Sequence, residues 1–112
     1  MDNIKDNGYY LKKLITDLSF IIHHTKGLTQ EELEQNEILV DSVMFRLIQI
    51  SENSDRLTDD FKMYYDAIPW RAVKGMRNRI AHEYGNVDLA VVYDTIKNDI
   101  PELLKELEKL VD

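Results

Sequence analysis

Cysteine is absent from the 112-residue sequence, which excludes a disulfide framework and a zinc–thiolate site and is compatible with a reducing compartment. No apolar run approaches the roughly 20 residues that are needed to cross a membrane. The first residues, Met1 to Lys5, also lack the basic and then apolar pattern of a secretion signal. We therefore expect a cytoplasmic protein that has no membrane partner.

Positive charge is scarce as well. The sequence has 14 lysines and arginines against 21 aspartates and glutamates, a formal net charge of -7. This balance argues against a general nucleic-acid coat, because non-specific affinity for phosphates comes largely from lysine and arginine. The basic residues are nevertheless concentrated, since the stretch 71–79 carries four cations and no acid. A nucleic-acid function would have to be local to that stretch.

The sequence also lacks alternating strand patterns, glycine-rich phosphate loops, nucleophile elbows and internal repeats. Four long segments instead repeat apolar residues every three or four positions, which is typical of amphipathic helices. The length suits a single domain, 1–112. We predict an all-α fold, an antiparallel up-and-down bundle of four main helices with short helical turns between them.

The first two main helices are bounded by clear local signals. The first should end at Gly27, and the second should run from about 36 to 57, after a short acidic turn that starts with a capping box of Thr29 and Glu32. The residues expected to face inward are Leu11, Leu14, Ile15, Leu18, Ile21 and Ile22 in the first helix, and Leu39, Val40, Val43, Met44, Leu47, Ile48 and Ile50 in the second. The wet side of the first helix is expected to carry Asp6, Lys12, Lys13 and Asp17.

The last two main helices flank a glycine–asparagine pair. Pro69 suits the first helical position of the third helix, and Gly85-Asn86 tolerates the positive φ that is common just past a helix end. Asp88 is a good N-cap for the fourth helix, which Pro101 should bend or restart.

The third helix segregates its side chains. On a helical wheel Val73, Met76 and Ile80 form an apolar arc suited to a core. A separate arc is polar and mostly basic, and Tyr84 lies about 20° from Arg77 at the seam between the arcs. The polar arc consists of Arg71, Lys74, Arg77, Asn78 and His82.

The polar arc suits phosphodiester cleavage. Histidine exchanges its proton near neutral pH, arginine is a permanent forked donor for phosphate, and asparagine can orient either group. By spacing alone, however, an arginine and a histidine five residues apart on a surface helix are more often a solvated face.

The wider sequence context points to a known family. Arg77-x4-His82-x-Tyr84, preceded by Ile68-Pro69-Trp70-Arg71, resembles the signature of the HepT-like branch of the HEPN superfamily, small helical ribonuclease toxins. The segments 25–29 and 87–101 resemble the family's first turn and last helix, so the resemblance covers most of the chain. Two departures stand out: Ser51-Glu52-Asn53 replaces a Gly-Glu-Ala found in many relatives, and Gly85-Asn86 replaces an aromatic–glycine pair.

The resemblance implies a homodimer that brings two copies of the motif to a shared cleft, and a minimal nucleotidyltransferase antitoxin as partner, with a larger hetero-oligomer open. It implies that Tyr84 is adenylylated by that antitoxin. We expect a metal-independent endoribonuclease acting on RNA, with Arg77 and His82 as catalytic residues and no cofactor. Supporting roles are expected for Asn78, Lys74 and Arg71. A metal site is not expected, because His23 and His24 lack a third ligand at usable spacing.

Two other functions stay open. The acidic surface fits a non-catalytic helical dimer that serves as a partner or regulator subunit of a nucleotidyltransferase, and the basic arc could hold a nucleotide phosphate without cutting anything. Arg46 and Glu52 coincide with polar positions of the family and could line the site or the dimer contact, although solvated or structural roles are commoner. The aromatic residues around Tyr64 and Trp70 could stack on bases, although core packing or dimer contact is commoner.

Overall fold

The computed structural model describes residues 6–81 and 88–111, except for the side chains of 77, 80 and 81, and every regular element in these ranges is helical. The fold is the all-α bundle that the sequence predicts. Its elements are α1 (Asn7–Thr25), α2 (Gln30–Glu34), α3 (Glu37–Asp55), α4 (Asp59–Tyr64), α5 (Trp70–Ala81), α6 (Leu89–Asp94), a π-helical turn (Thr95–Asp99) and α7 (Ile100–Glu108).

Hydrogen bonds between helix ends show how the main helices run. α1 packs against both α3 and α7, and α3 packs against α5. At the start of α1, the Asn7 amide donates to the Thr58 hydroxyl at 3.1 Å, so α1 begins where α3 has just ended. At the end of α1, Lys97 Nζ donates to the Thr25 carbonyl at 3.2 Å. α1 is therefore antiparallel to α3 and to the helical run that contains α6 and α7.

The helix starts follow from local capping chemistry, which supplies acceptors for the unpaired amides of the first turn. The capping box is confirmed, with the Glu32 amide 3.1 Å from the Thr29 hydroxyl and the Thr29 amide 2.9 Å from the Glu32 carboxylate. Asp88 caps α6 as predicted, 3.0 Å from the Ala90 amide. α1 ends at Thr25, and Gly27 takes a positive φ of 77° just beyond it.

The core draws on all the main helices, and the predicted inward faces supply most of it. Val73 and Met76, the described part of the apolar arc of α5, are both buried. α5 begins at Trp70, so Pro69 precedes the first helical residue instead of occupying it; the Val73 amide donates to the Pro69 carbonyl at 3.0 Å. The predicted end of this helix near Gly85-Asn86 lies outside the described residues. Within the described ranges, no helix is both long and apolar enough to span a membrane.

The aromatic residues before α5 mostly pack against the core. Phe61, Tyr65 and Trp70 are partly buried against it, and the Trp70 indole donates to the Tyr65 carbonyl at 3.0 Å. Tyr64 is different, because 80% of it is exposed. Core packing is therefore the role of three of these four rings.

The last main helix passes through Pro101 by way of a widened turn. Proline has no amide to donate to the carbonyl four residues earlier, and in a regular α-helix its ring would collide with that carbonyl. α6 is followed directly by the π-helical turn and then by α7, and the Ile100 amide donates to the Thr95 carbonyl five residues back. The predicted bend or restart thus takes the form of a π-helical turn just before the proline.

One prediction about α1 was wrong. Asp17, which the helical pattern assigned to the wet side, is fully buried. Its carboxylate accepts from Arg46 of α3 at 2.7 Å and from Lys13 at 3.2 Å, and the Arg46 guanidinium lies 3.9 Å from the centre of the Phe20 ring. The carboxylate can be buried because both of these cations pair with it.

The ion pair between α1 and α3 makes an asymmetric prediction for stability. Arg46→Met should cost roughly 3 kcal/mol of unfolding free energy, because it leaves a buried carboxylate with Lys13 as its remaining partner. Asp17→Leu should cost less, since Arg46 and Lys13 are partly exposed and can turn to water. The double substitution should be close to neutral. Urea denaturation of the parent and the three variants measures the free energy of unfolding of each. Equal losses for the two single variants would contradict the prediction.

Candidate functional site

The described part of α5 carries three of the predicted site residues. Arg71, Lys74 and Asn78 are all exposed, on the side of α5 away from the buried Val73 and Met76. The backbone of residue 77 belongs to α5. The side chain of Arg77, together with His82 and Tyr84, lies outside the described residues, so their roles stay predictions.

Lys74 and Asn78 open onto a cleft of about 350 Å³ between α3 and α5, which we call the Lys74 cleft. Arg71, one turn earlier on α5, is not among its described lining residues. The cleft therefore groups two of the three described supporting residues. Its α3 wall is formed by Ser51, Glu52, Asp55 and Arg56.

Two contacts fix α5 against α3 at this cleft. The Ser51 hydroxyl, which is buried, donates to the Lys74 carbonyl at 2.8 Å. Lys74 Nζ lies 3.3 Å from Asp55 Oδ1, and both side chains are more than half exposed. Because the hydroxyl of Ser51 bonds the backbone of α5, the departure from glycine at this position adds a tie between the two helices.

The ion pair of Lys74 and Asp55 is weak enough to be exchanged. Exposed pairs of this kind contribute about 0–1 kcal/mol, since water screens both charges. A phosphate entering the cleft could therefore take Lys74 from Asp55 at little cost. The hydrogen bond from the Ser51 hydroxyl holds the backbone of Lys74 in place while the ammonium group of Lys74 can turn.

Sequence reasoning missed Asp55 and Arg56 as neighbours of the site. Glu52 was expected either to line the site or to lie at the dimer contact, and it lines the Lys74 cleft. Asp55 and Arg56 are brought to the site by the packing of α3 against α5, which places the last turn of α3 beside Lys74. The helical pattern of α3 alone does not show which helix will cover that end.

A second cleft lies on the other side of α5, away from the Lys74 cleft. A cleft of about 530 Å³ between α5 and the last main helix has an apolar floor that includes Val73, Met76 and Leu103. Its rim carries three acids and one cation, namely Asp99, Glu102, Glu106 and Arg79. Its acids would repel a phosphate group, so of the two clefts the Lys74 cleft is the better one for a ligand that carries phosphate. Arg79, although within the basic stretch, points to this acidic cleft.

Among the described residues, no group of three histidine, cysteine, aspartate or glutamate side chains is placed to hold a metal ion. His23 and His24 are exposed at the end of α1, with ring centres 4.9 Å apart. His24 also contacts Phe20, at 4.2 Å between ring centres. The described contacts of the two rings are thus with each other and with a neighbouring aromatic ring.

The sequence is similar to known proteins along most of its length. The model of the HepT-like ribonuclease family matches residues 14–110. A probable ribonuclease HepT of Thermococcus cleftensis is 33% identical over 101 residues, which cover 90% of this chain and 92% of that protein. A protein of Methanocaldococcus jannaschii, provisionally named an RNase, is 32% identical over 107 residues, covering 96% of this chain and 92% of its own length.

A third relative comes from Caldanaerobacter subterraneus subsp. tengcongensis and is also provisionally named an RNase. It is 28% identical over 102 residues, which cover 91% of each chain. No solved structure matches the chain. The similarity therefore extends along nearly the whole length of three proteins that are named as ribonucleases.

Proposed function

This chain belongs to the HepT-like ribonuclease family, and on that basis we propose that it is the RNA-cleaving toxin of a toxin–antitoxin pair. The observation that carries the proposal is the family match over 14–110, which includes Arg77, His82 and Tyr84. The Lys74 cleft supports it, because it brings Lys74 and Asn78 together on the polar side of α5.

The chemistry uses the internal nucleophile of RNA. The 2′-oxygen attacks the adjacent phosphorus, the bond to the 5′-oxygen breaks, and the products carry a 2′,3′-cyclic phosphate and a 5′-hydroxyl. Such a reaction needs a group that removes the 2′-proton, donors that stabilise the crowded phosphorane, and an acid that protonates the leaving oxygen. All three needs can be met by side chains without a metal ion.

The residues of the polar arc divide these tasks. His82 acts as the acid or base, and Arg77 clamps the non-bridging oxygens as charge builds on them. Asn78 orients one of this pair from the next position on α5. Lys74 and Arg71 add positive charge along the approach of the substrate.

A second copy of the chain completes the site, because a symmetry mate can supply the second histidine that an acid–base pair requires. Ile38 and Phe45 support a homodimer. They lie seven residues apart on one face of α3 and are 80% and 57% exposed. In the same proposal a minimal nucleotidyltransferase is the antitoxin partner, alone or in a larger hetero-oligomer, and Tyr84 is the residue that it modifies.

Metal-free RNA cleavage tests the proposal. Protein purified and assayed with a chelator should cut single-stranded RNA at the same rate as protein assayed with magnesium, and the new ends should be cyclic phosphates and 5′-hydroxyls. A His82→Ala preparation made in parallel controls for a contaminating nuclease. Cleavage that stops with the chelator and returns with magnesium would show that the mechanism is wrong.

The second candidate is a non-catalytic helical dimer that regulates a nucleotidyltransferase. The acidic cleft between α5 and the last main helix favours it, because an apolar floor with an acidic rim suits a protein partner. The same assay separates the two functions. A nucleotidyltransferase encoded beside this gene would fit both, whereas RNA cleavage that depends on His82 fits only the first.

A further inference from the structure

Two surface clefts meet at the last turn of α3. The Lys74 cleft reaches Glu52 and Arg56 from the side of α5. A second cleft of about 240 Å³ reaches the same two residues from the side of α1, and we call it the tyrosine cleft. Its other lining residues are Tyr9, Tyr10, Lys13, Gln49 and Asn53. Because both clefts are lined by Glu52 and Arg56, they lie side by side across the end of α3, and we call the pair together the groove.

The α1 wall of this groove is held in place by its own hydrogen bonds. Two hydrogen bonds join Asn7 to Thr58. The Asn7 side-chain amide donates to the Thr58 hydroxyl at 3.1 Å, and the Thr58 backbone amide donates to the Asn7 side-chain oxygen at 3.0 Å. They fix the first turn of α1 beside the end of α3. Asp6 caps the same turn through the Tyr9 amide at 3.0 Å. The position of Tyr9 next to Arg56 is therefore part of the fold.

The tyrosine cleft offers an aromatic surface. Tyr10 packs partly against the core, and the ring of Tyr9 stands edge to face with it, with centres 5.1 Å apart. Tyr9 is 42% exposed. A ring that is braced by a second ring and open to solvent can stack on a nucleobase, and such stacking accepts any base because every base has a π face.

The groove is also positive for so acidic a chain. Its described lining holds three cations, Lys13, Arg56 and Lys74, against the two acids Glu52 and Asp55, whereas the sequence as a whole carries a net charge of -7. Lys13 is paired with the buried Asp17, so Arg56 and Lys74 are the cations that can meet a phosphate. Lys74 is held by the exchangeable pair with Asp55. Gln49, at the wall of the tyrosine cleft, has an amide side chain of the kind that hydrogen-bonds base edges and 2′-hydroxyls.

We propose that this groove binds the single-stranded RNA that flanks the scissile bond, with a base stacked on Tyr9 and a phosphate held by Arg56. The inference rests on the proposed nuclease function for the identity of the ligand, and it adds a binding path that leads away from the cleavage site. The path explains how an acidic protein can hold a polyanion: few phosphate contacts are made, and stacking supplies much of the affinity.

Binding of a fluorescent single-stranded RNA of about 12 nucleotides to the His82→Ala protein tests the path without cleavage. Tyr9→Ala should weaken binding by about 5- to 150-fold, the range expected for one stacked base, whereas Tyr9→Trp should bind as well as the parent. Arg56→Gln should weaken binding and lower the slope of log K against log salt by about 0.7, the value for one phosphate contact on a single strand.

Two matched controls lie outside the groove and should leave binding unchanged. Tyr64→Ala removes an exposed ring beside Asp66 and Glu106, and Lys105→Gln removes an exposed cation of α7. Equal weakening by Tyr9→Ala and Tyr64→Ala, or by Arg56→Gln and Lys105→Gln, would overturn the assignment of the groove. Equal weakening by Tyr9→Ala and Tyr9→Trp would overturn the stacking role.

The binding and cleavage results together separate this inference from the proposed function. If the parent protein cuts RNA but the Tyr9 and Arg56 variants bind as tightly as their controls, the groove is wrong and the nuclease stands. If those variants lose binding but the parent cuts nothing, the groove stands and the nuclease is wrong. RNA that does not bind at all would overturn both.

Discussion

RNA cleavage by the His82→Ala protein is expected to fall by about 10²- to 10⁴-fold, the contribution that general acid–base catalysis typically makes. Arg77→Ala should produce a loss of similar size, because it removes the donor that stabilises charge on the phosphorane. On the helical wheel both residues belong to the polar arc, which is separate from the apolar arc that contains the buried Val73 and Met76. Helix content and the melting temperature should therefore stay close to those of the parent.

The chain offers a matched control for each of these substitutions. His23 is an exposed histidine at the end of α1, and Arg79 belongs to the acidic cleft on the other side of α5. His23→Ala and Arg79→Ala should retain cleavage in vitro and toxicity on induction. If His82→Ala or Arg77→Ala remains as active as its control at equal expression, the assigned site is wrong.

The bundle could be predicted from the sequence because its signals are local. Apolar spacing marks the helices, and capping residues such as Thr29, Glu32 and Asp88 mark their starts. Asp17 shows where such reasoning fails. A carboxylate in an amphipathic helix predicts a solvent-facing position, and only the packing of α3 against α1 brings Arg46 close enough to pair with it. The partner is 29 residues away along the chain, so no local pattern contains it.

The candidate site likewise has a part that the sequence predicts and a part that depends on helix packing. The polar arc of α5 follows from the period of one helix, and the cleft that it opens onto depends on which turn of α3 lies opposite. Asp55 and Arg56 enter the cleft through that pairing. The groove that continues to Tyr9 depends on a third helix, fixed by the contact of Asn7 with Thr58. Each added helix takes the site further from what spacing along one segment can predict.

Modification of Tyr84 is expected to silence the protein. If the helix continues regularly, Tyr84 would lie about two turns beyond Arg77 on nearly the same line, and its hydroxyl would open onto the proposed catalytic site. In the proposed reaction the tyrosine oxygen attacks the α-phosphorus of ATP, a phosphodiester to AMP forms and pyrophosphate leaves. The added negative charge can pair with Arg77, and the added bulk occupies the place of the RNA backbone. One modification thereby neutralises the clamp and blocks entry.

Co-expression with the cognate nucleotidyltransferase should therefore raise the intact mass of this protein by one or more adenylyl units and abolish its RNA cleavage. Tyr84→Phe should escape both effects, because the ring without its hydroxyl has no nucleophile. Tyr64→Phe is the matched control, since Tyr64 is 80% exposed and accessible to a transferase but lies on α4, and it should be modified and silenced like the parent. A Tyr84 whose ring only packs at the helix end would instead lower stability when truncated and leave the mass unchanged. A parent protein that keeps its mass, or a Tyr84→Phe protein that is modified as fully as the parent, would remove Tyr84 from the mechanism.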